Sequence, residues 1–334
     1  MNFVLRASVF ARGTNVELFQ LVAAALAGRH RIEVHEDAEE AHAYWLSALD
    51  KVTREEADMA RKWSDVENAI QPSGVSLYVE ERRDSAWSTW TLSVPDAAEL
   101  AGKPFRVVLE NGTSDAAFLL AMMFAEEQRW FRDRIEKEWI LLEHAGGIGD
   151  LKKRVDWAAE HPSRAIRAAA MFDGDAVERP ATEPEVSSAF RARFYRASVE
   201  ALDACERAQA GDIEAFPHHM LRRRAIENYL PIGALHRWAE AAAGAERRRR
   251  RRLVKALSRE SFRPFFNMKK GHQGDRGRQP PPSWLPSEQG TPLEGGFGRD
   301  ISRRFADARE LELREDGGFD ELRGFVEWLR RRIQ

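Results

Sequence analysis

Residues 106–115, Arg-Val-Val-Leu-Glu-Asn-Gly-Thr-Ser-Asp, and residues 171–176, Met-Phe-Asp-Gly-Asp-Ala, decide the fold. In the first stretch Val107, Val108 and Leu109 predict a buried strand that Glu110 closes. Asn111-Gly112-Thr113-Ser114 then predicts a turn into a helix, with Thr113 or Ser114 as N-cap and Asp115 in the first turn, where the helix dipole favours a carboxylate. In the second stretch Ala168–Phe172 predicts another buried strand, and Asp173-Gly174-Asp175 is its acidic tip. An isolated Asp-Gly-Asp is only a turn. Two acidic tips at the carboxyl edge of one α/β sheet make a candidate site, because a hard cation such as Mg²⁺ takes one or two carboxylates and keeps several waters.

Outward from these two tips the pattern is strand, helix, strand. Strands Phe105–Glu110, Trp139–His144 and Ala168–Phe172 alternate with helices Asp115–Lys137, Asp150–Glu160 and Pro184–Ala210, which predicts a parallel sheet with crossover helices. The turn His144-Ala145-Gly146-Gly147-Ile148-Gly149-Asp150 lacks the GxGxxG spacing of a dinucleotide site. It is read either as the floor of the site, in reach of a substrate phosphate, or as plain turn geometry. Phe216–Met220 is a further strand candidate and leads to Arg222, Arg223 and Arg224 and then to Glu227, another acid near the sheet edge. His218 and His219 point in different directions on either a strand or a helix, so at most one of them could serve as a metal ligand, and polar turn histidines are the favoured reading.

Ala239–Leu257 predicts a basic helix containing six consecutive arginines, among them Arg247, Arg248, Arg251 and Arg252. Such a run is either a solvated face or a phosphate-binding one, since guanidinium forks match phosphate oxygens. Lys269 and Lys270 follow in an aromatic stretch, residues 274–298 are rich in Pro and Gly and predict a loop, and Phe319–Ile333 has Leu322, Phe325, Val326 and Leu329 at helical spacing.

Residues 1–103 read as an α/β accessory or docking layer. It comprises a helix at Val16–Ala27, a strand at Ile32–Val34, helical Asp37–Trp63 and a hairpin of Val75–Glu81 with Ser88–Val94. The expected organisation is this layer, a catalytic domain at 104–275, a loop at 276–298 and a helical segment at 299–334. With 334 residues and 43% hydrophobic content the chain can bury a substantial core. Its 52 basic and 54 acidic side chains nearly cancel, so contact with a polyanion must come from local patches. A single cysteine, Cys205, excludes an internal disulfide framework and fits a reducing cytoplasm. Neither a signal peptide nor a membrane span is expected.

These motifs together resemble a Toprim domain, over about residues 104–272. The resemblance is closest to the Toprim nucleases of the OLD family and to the Toprim subunits paired with ATPases in bacterial phage defence, such as the PARIS system. VLENGTSDAAFL is similar to their opening motif, although Asn111 stands where glycine is frequent. HAGGIGDLKKRV resembles their second loop, and RAIENYLP a segment beyond the Asp-x-Asp. The resemblance implies a Toprim-like central parallel sheet and a Mg²⁺- or Mn²⁺-dependent endonuclease acting on DNA or RNA, with two ions. It implies Glu110, Asp115, Asp173, Asp175 and Glu227 as metal ligands, with Glu110, Asp173 and Asp175 also catalytic. Lys269 or Lys270 is the expected transition-state lysine. The arginines at 222–224 and on the basic helix would guide the phosphate backbone. The chain has no GxxxxGK[ST] stretch, so any ATP-driven step is expected from an ABC- or AAA-type partner ATPase. A homo-oligomer is left open. A topoisomerase or primase is disfavoured by the short chain, its four tyrosines and the lack of a zinc cluster. The competing reading is a catalytically silent Toprim-like module that binds nucleic acid or docks the ATPase.

Overall fold

The computed structural model describes residues 1–11, 16–70, 74–177, 196–208, 216–278 and 281–333. The chain forms two compact units, one of Met1–Phe105, Arg134–Leu141 and Val326–Gln334, the other of Arg106–Asp133 and Leu142–Phe325. The C-terminal region expected as a separate helical segment is divided between them.

In the first unit the strands are β1 (Asn2–Leu5), β2 (Arg31–Val34), β3 (Ser76–Glu80) and β4 (Thr91–Ser93), in the order β2-β1-β3-β4. The helices are α1 (Val16–Leu26), α2 (Glu39–Ala48), α3 (Lys51–Ile70) and α4 (Val94–Gly102). β1 is wholly buried, as suits a central strand of a parallel sheet. The expected hairpin is corrected: β3 and β4 pair in parallel, with Val79 opposite Leu92. Between them Ala86 bridges back to Thr91 and Trp90 adopts a left-handed conformation (φ 53°), so the chain reverses before β4 begins.

The second sheet contains β5 (Phe105–Leu109), β6 (Ile140–His144), β7 (Ala168–Phe172) and β8 (His218–Met220), in the order β6-β5-β7-β8. β5, β7 and β8 run parallel, with Val108 opposite Ala170 and Ala170 opposite His218. At one end Phe105 N–H donates to the Trp139 carbonyl and at the other Ala145 N–H donates to that of Leu109, so β6 runs the same way. The alanine-rich β7 is buried throughout. One face packs against Leu151, Val155, Ala201, Ala204 and Phe216.

The helices after β5 are α5 (Gly112–Ala121) and α6 (Ala125–Glu136). A single helix over 115–137 is therefore corrected: Phe124 N–H donates to the Glu127 carboxylate (2.8 Å), which starts a new helix. The same carboxylate takes a two-pronged bond from Arg323. α7 spans Ile148–Ala159. The expected helix over 184–210 is present at Arg196–Ala208, and its beginning lies outside the described residues. The basic region is also two helices, Ile232–Glu240 and Gly244–Leu257. The helix Gly318–Ile333 buries Leu322, Phe325, Val326 and Leu329, the four positions its apolar spacing selects. Among the described residues no helix is long and apolar enough to cross a membrane.

Candidate functional site

In the order β6-β5-β7-β8 the chain moves from one side of β5 to the other between β6 and β7. The gap beyond the carboxyl ends of β5 and β7 is thus a topological switch point, where open α/β sheets bind ligands. Glu110 follows β5, Asp173 and Asp175 follow β7, and Glu227 lies seven residues beyond β8. Asp115 enters from the first turn of α5. All five expected carboxylates lie in this one region, and each acts on the charge of at least one other.

The turn after β5 is built by its own acid. Neither Thr113 nor Ser114 is the N-cap. That position is Asn111, and the Asp115 carboxylate reaches back to accept Asn111 N–H (2.7 Å), with Ser114 Oγ on its other oxygen (3.3 Å). Asn111 is extended, a conformation open to any side chain. The position that requires glycine is the next one, because a Cβ on Gly112 would lie 2.9 Å from the His144 Cβ. Gly112 N–H donates to His144 Nδ1 (2.9 Å), so the last residue of β6 is held against the start of α5.

The tip of β7 is equally constrained. A Cβ on Gly174 would stand 2.1 Å from the Leu221 carbonyl oxygen, so only glycine lets the two strand ends approach. Asp175 is left-handed (φ 50°), a conformation that aspartate tolerates and that often occurs at functional sites. Its N–H donates to the Arg224 carbonyl (2.8 Å). Asp173 accepts Ile226 N–H (3.0 Å), which ties β7 to the segment carrying Glu227.

That segment gives each residue of Glu227-Asn228-Tyr229 a task. Glu227, 2% exposed, faces the carboxylates and meets Lys269 Nζ at 3.0 Å. The Asn228 amide donates to the carbonyls of Arg263 and Phe266 (2.8 and 2.9 Å), fixing the stretch that leads to Lys269. Tyr229 donates to Glu321, which also accepts His219 Nε2 and Arg222 N–H. Of the two candidate lysines it is Lys269 that enters the site. Lys270 is exposed, and its N–H bonds the Asn267 side chain.

Burial and mutual repulsion perturb the acids strongly. Burial first, then Asp175 and Asp115, push the Glu110 carboxyl up to about 7. Burial, followed by Glu227, raises Asp115 to about 6 despite the bond from Asn111. Asp173 rises well above the carboxylate range through burial, Glu110, Glu227 and Asp115. Asp175 also rises through burial, against the pull of Arg224, Arg278 and Lys269. Burial alone would lower the Lys269 ammonium. Glu227, Asp173 and Glu110 outweigh it, and the net change is upward.

Among the described residues no three His, Cys, Asp or Glu side chains stand ready as a complete metal-ligand set. Part of the donor capacity is already engaged, at Asp115 by Asn111 and Ser114 and at Asp173 by Ile226. Two buried oxygens, Glu110 Oε2 and Glu227 Oε2, have no hydrogen-bond partner among the described residues. A pair of unpartnered carboxylate oxygens in a region of raised carboxyls fits a hard divalent ion bound by one or two carboxylates and water.

The expected phosphate-guiding arginines separate into two groups. Arg224 is corrected: it is 5% exposed and clamps Asp275 with two bonds of 2.7 and 2.8 Å, so it is part of the framework. Arg223 is corrected likewise, held by Asp316 and the Asn228 carbonyl and stacked over Tyr229. Arg222 is exposed. On the basic helix Arg251 pairs with Glu240 and Arg247 with the Ala242 carbonyl. Arg248 and Arg252, one turn apart, are exposed and have no partner among the described residues. Sequence reasoning passed over Arg278, which acts on Asp175 from a separate element, whereas His144 opens the turn it read as a candidate floor of the site. Cys205 is buried in the core, where burial pushes its thiol far above the ordinary value.

No known protein family, curated protein or solved structure matches the chain. What the site does is therefore argued from its own geometry.

Proposed function

We propose that this protein is a Toprim-like, metal-dependent endonuclease that hydrolyses phosphodiester bonds in DNA or RNA. The supporting observation is the gathering of Glu110, Asp115, Asp173, Asp175 and Glu227 with Lys269 beyond the carboxyl ends of β5, β7 and β8, with two carboxylate oxygens left unpartnered. Buried carboxylates without neutralisation are costly, and a cation lowers that cost. Mg²⁺ or Mn²⁺ bound there would neutralise charge developing on the phosphoryl and leaving oxygens. In this reading Glu110 and Glu227 hold the ions, with Asp173 and Asp175 turning toward them from the β7 tip. Lys269 contributes a fixed positive charge for the phosphoryl oxygens. Glu110 is also suited to accept a proton near neutral pH, since its carboxyl lies at about 7. Arg248 and Arg252 supply unpaired positive charge for a phosphate backbone. The resemblance to phage-defence Toprim subunits extends the proposal to an effector controlled by a partner ATPase.

A catalytically silent Toprim-like module is the second reading, and the lack of a ready-made ligand set among the described residues favours it. Plasmid DNA and total tRNA incubated with the purified chain and Mg²⁺ or Mn²⁺, with and without a co-expressed partner ATPase, separate the two. The nuclease requires cleavage that EDTA stops and Glu110→Gln abolishes. Intact substrates under every condition support the silent module.

A further inference from the structure

Lys269 lies in neither a helix nor a strand, so no ladder of its own holds it beside Glu227. The stretch rich in Pro and Gly, expected as a loop, supplies that hold. Phe297 N–H donates to the Met268 carbonyl (2.7 Å) and Gly298 N–H to that of Lys269 (3.2 Å). In the reverse sense His272 N–H and Gln273 N–H donate to the carbonyls of Leu293 and Glu294 (both 3.1 Å). The two segments approach so closely that a Cβ on Gly296 would lie 2.5 Å from the Gly271 nitrogen. Met268 and Phe297 are both buried.

The other end of the same stretch reaches the acids. Trp284 Nε1 donates to the Val177 carbonyl (2.7 Å), two residues beyond Asp175, and its ring stacks on Phe262 at 4.5 Å with the planes 11° apart. Between the two ends Arg276 acts as a staple. Its guanidinium grips the Glu294 carboxylate with two bonds (2.7 and 2.8 Å) and donates to the carbonyls of Pro286 (3.2 Å) and Glu288 (2.7 Å). A planar fork of this kind loses little freedom for each bond it forms, so one side chain can gather three points of a loop. Asp275, the residue before the staple, pairs with Arg224 and Arg278, the two arginines whose charge acts on Asp175. A loop longer than about 12–15 residues without secondary structure is usually either functional or a free linker, and one tied at both ends and in the middle is no free linker.

We propose that residues 284–298 are a strap that sets Lys269 against Glu227 and ties it to the chain carrying Asp175, with Arg276 and Glu294 as positioning residues for the lysine. What Lys269 does there rests on the nuclease reading; where it is held does not.

Acylation of the full chain by acetic anhydride, read residue by residue in fragment mass spectra, reports on the lysine whether or not the chain cleaves anything. In the wild type Lys269, held against Glu227, should react more slowly than the exposed Lys270 beside it. In Arg276→Ala, and in the milder Glu294→Gln, the rate at Lys269 should rise to that of Lys270. The rate at Lys152, paired with Asp156 on α7, and the circular dichroism should stay as they were. Where the wild type cleaves nucleic acid, both variants should lose about tenfold or more in kcat with KM unchanged, because displacing a catalytic group costs rate before it costs binding. A stretch that serves stability alone would lower the thermal midpoint of the variants and leave Lys269 as protected as in the wild type. That result, or a wild type in which Lys269 reacts as fast as Lys270, overturns the proposal. Protection lost in both variants of a chain that cleaves nothing upholds the strap and counts against the nuclease reading alone.

Discussion

Replacing Glu110 with glutamine keeps the shape of the side chain and removes its charge, so the variant isolates what that charge costs. The carboxyl is raised from its ordinary 4.5 to about 7, by burial first and then by Asp175 and Asp115. At 1.36 kcal/mol per tenfold, ionising it inside the fold costs about 3 kcal/mol more than in the unfolded chain. A carboxyl whose folded value is raised leaves stability intact below the unfolded value and drains it as pH climbs through the folded one. Near pH 4 both states hold the proton and the substitution shows only its steric effect. By pH 8 the wild type carries nearly the whole penalty and Glu110→Gln carries none. The difference in unfolding free energy between variant and wild type should therefore swing by about 3 kcal/mol in favour of the variant from pH 4 to pH 8. Relief of Asp175 and Asp115 acts in the same direction. Urea unfolding in EDTA, followed by tryptophan fluorescence at several pH values, measures the swing. A difference that stays constant with pH would refute the charged, crowded site. Millimolar Mg²⁺ should stabilise the wild type at pH 8 and leave the variant unmoved.

Arg224→Ala removes the two-pronged partner of Asp275, 0% exposed, and leaves it Arg278 alone (3.0 Å), so it should lower stability by about 3 kcal/mol in chemical unfolding, the low end for a broken buried pair. Lys269→Met should abolish cleavage and lower stability at pH 8 by about 1–2 kcal/mol, less than a fully buried pair because the lysine is 38% exposed. Gly174→Ala drives a methyl into the Leu221 carbonyl and should lower the thermal midpoint by at least as much as a loss of about 2–3 kcal/mol implies, together with cleavage. Arg248→Ala and Arg252→Ala should leave the melting curve in place and each reduce the slope of log affinity against log salt for nucleic acid by about 1.

Much of the acidic site was legible because its parts are local. A β-branched run closed by Glu110 and an alanine-rich run closed by Asp173-Gly174-Asp175 announce strand ends, and a parallel sheet places such ends on one edge. Glu227, Asn228 and Tyr229 were visible as a unit, although only the structure shows that Asn228 secures the stretch leading to Lys269. What sequence reasoning missed depends on partners far along the chain. Arg223 and Arg224 look like a basic patch until Asp316 and Asp275 are placed against them. Alternation in Val75–Glu81 and Ser88–Val94 predicts strands but carries no direction, so a parallel pair was read as a hairpin. The break between α5 and α6 follows from one carboxylate accepting Phe124 N–H, a capping bond that helix propensity does not reveal. β1 carries no readable signal because a four-residue, wholly buried strand is too short to show a period.

Calorimetric titration of the purified chain with Mn²⁺, in buffers of different ionisation enthalpy between pH 5.5 and 7.5, puts the acidic site to its most direct test. Carboxyls raised to about 6 and about 7 must give up protons when a cation takes their place, so binding should be accompanied by proton release. Release should shrink above pH 7 and fall sharply in Glu110→Gln. Binding that releases no protons, or that is as tight in Glu110→Gln as in the wild type, would contradict a divalent ion held by these carboxylates.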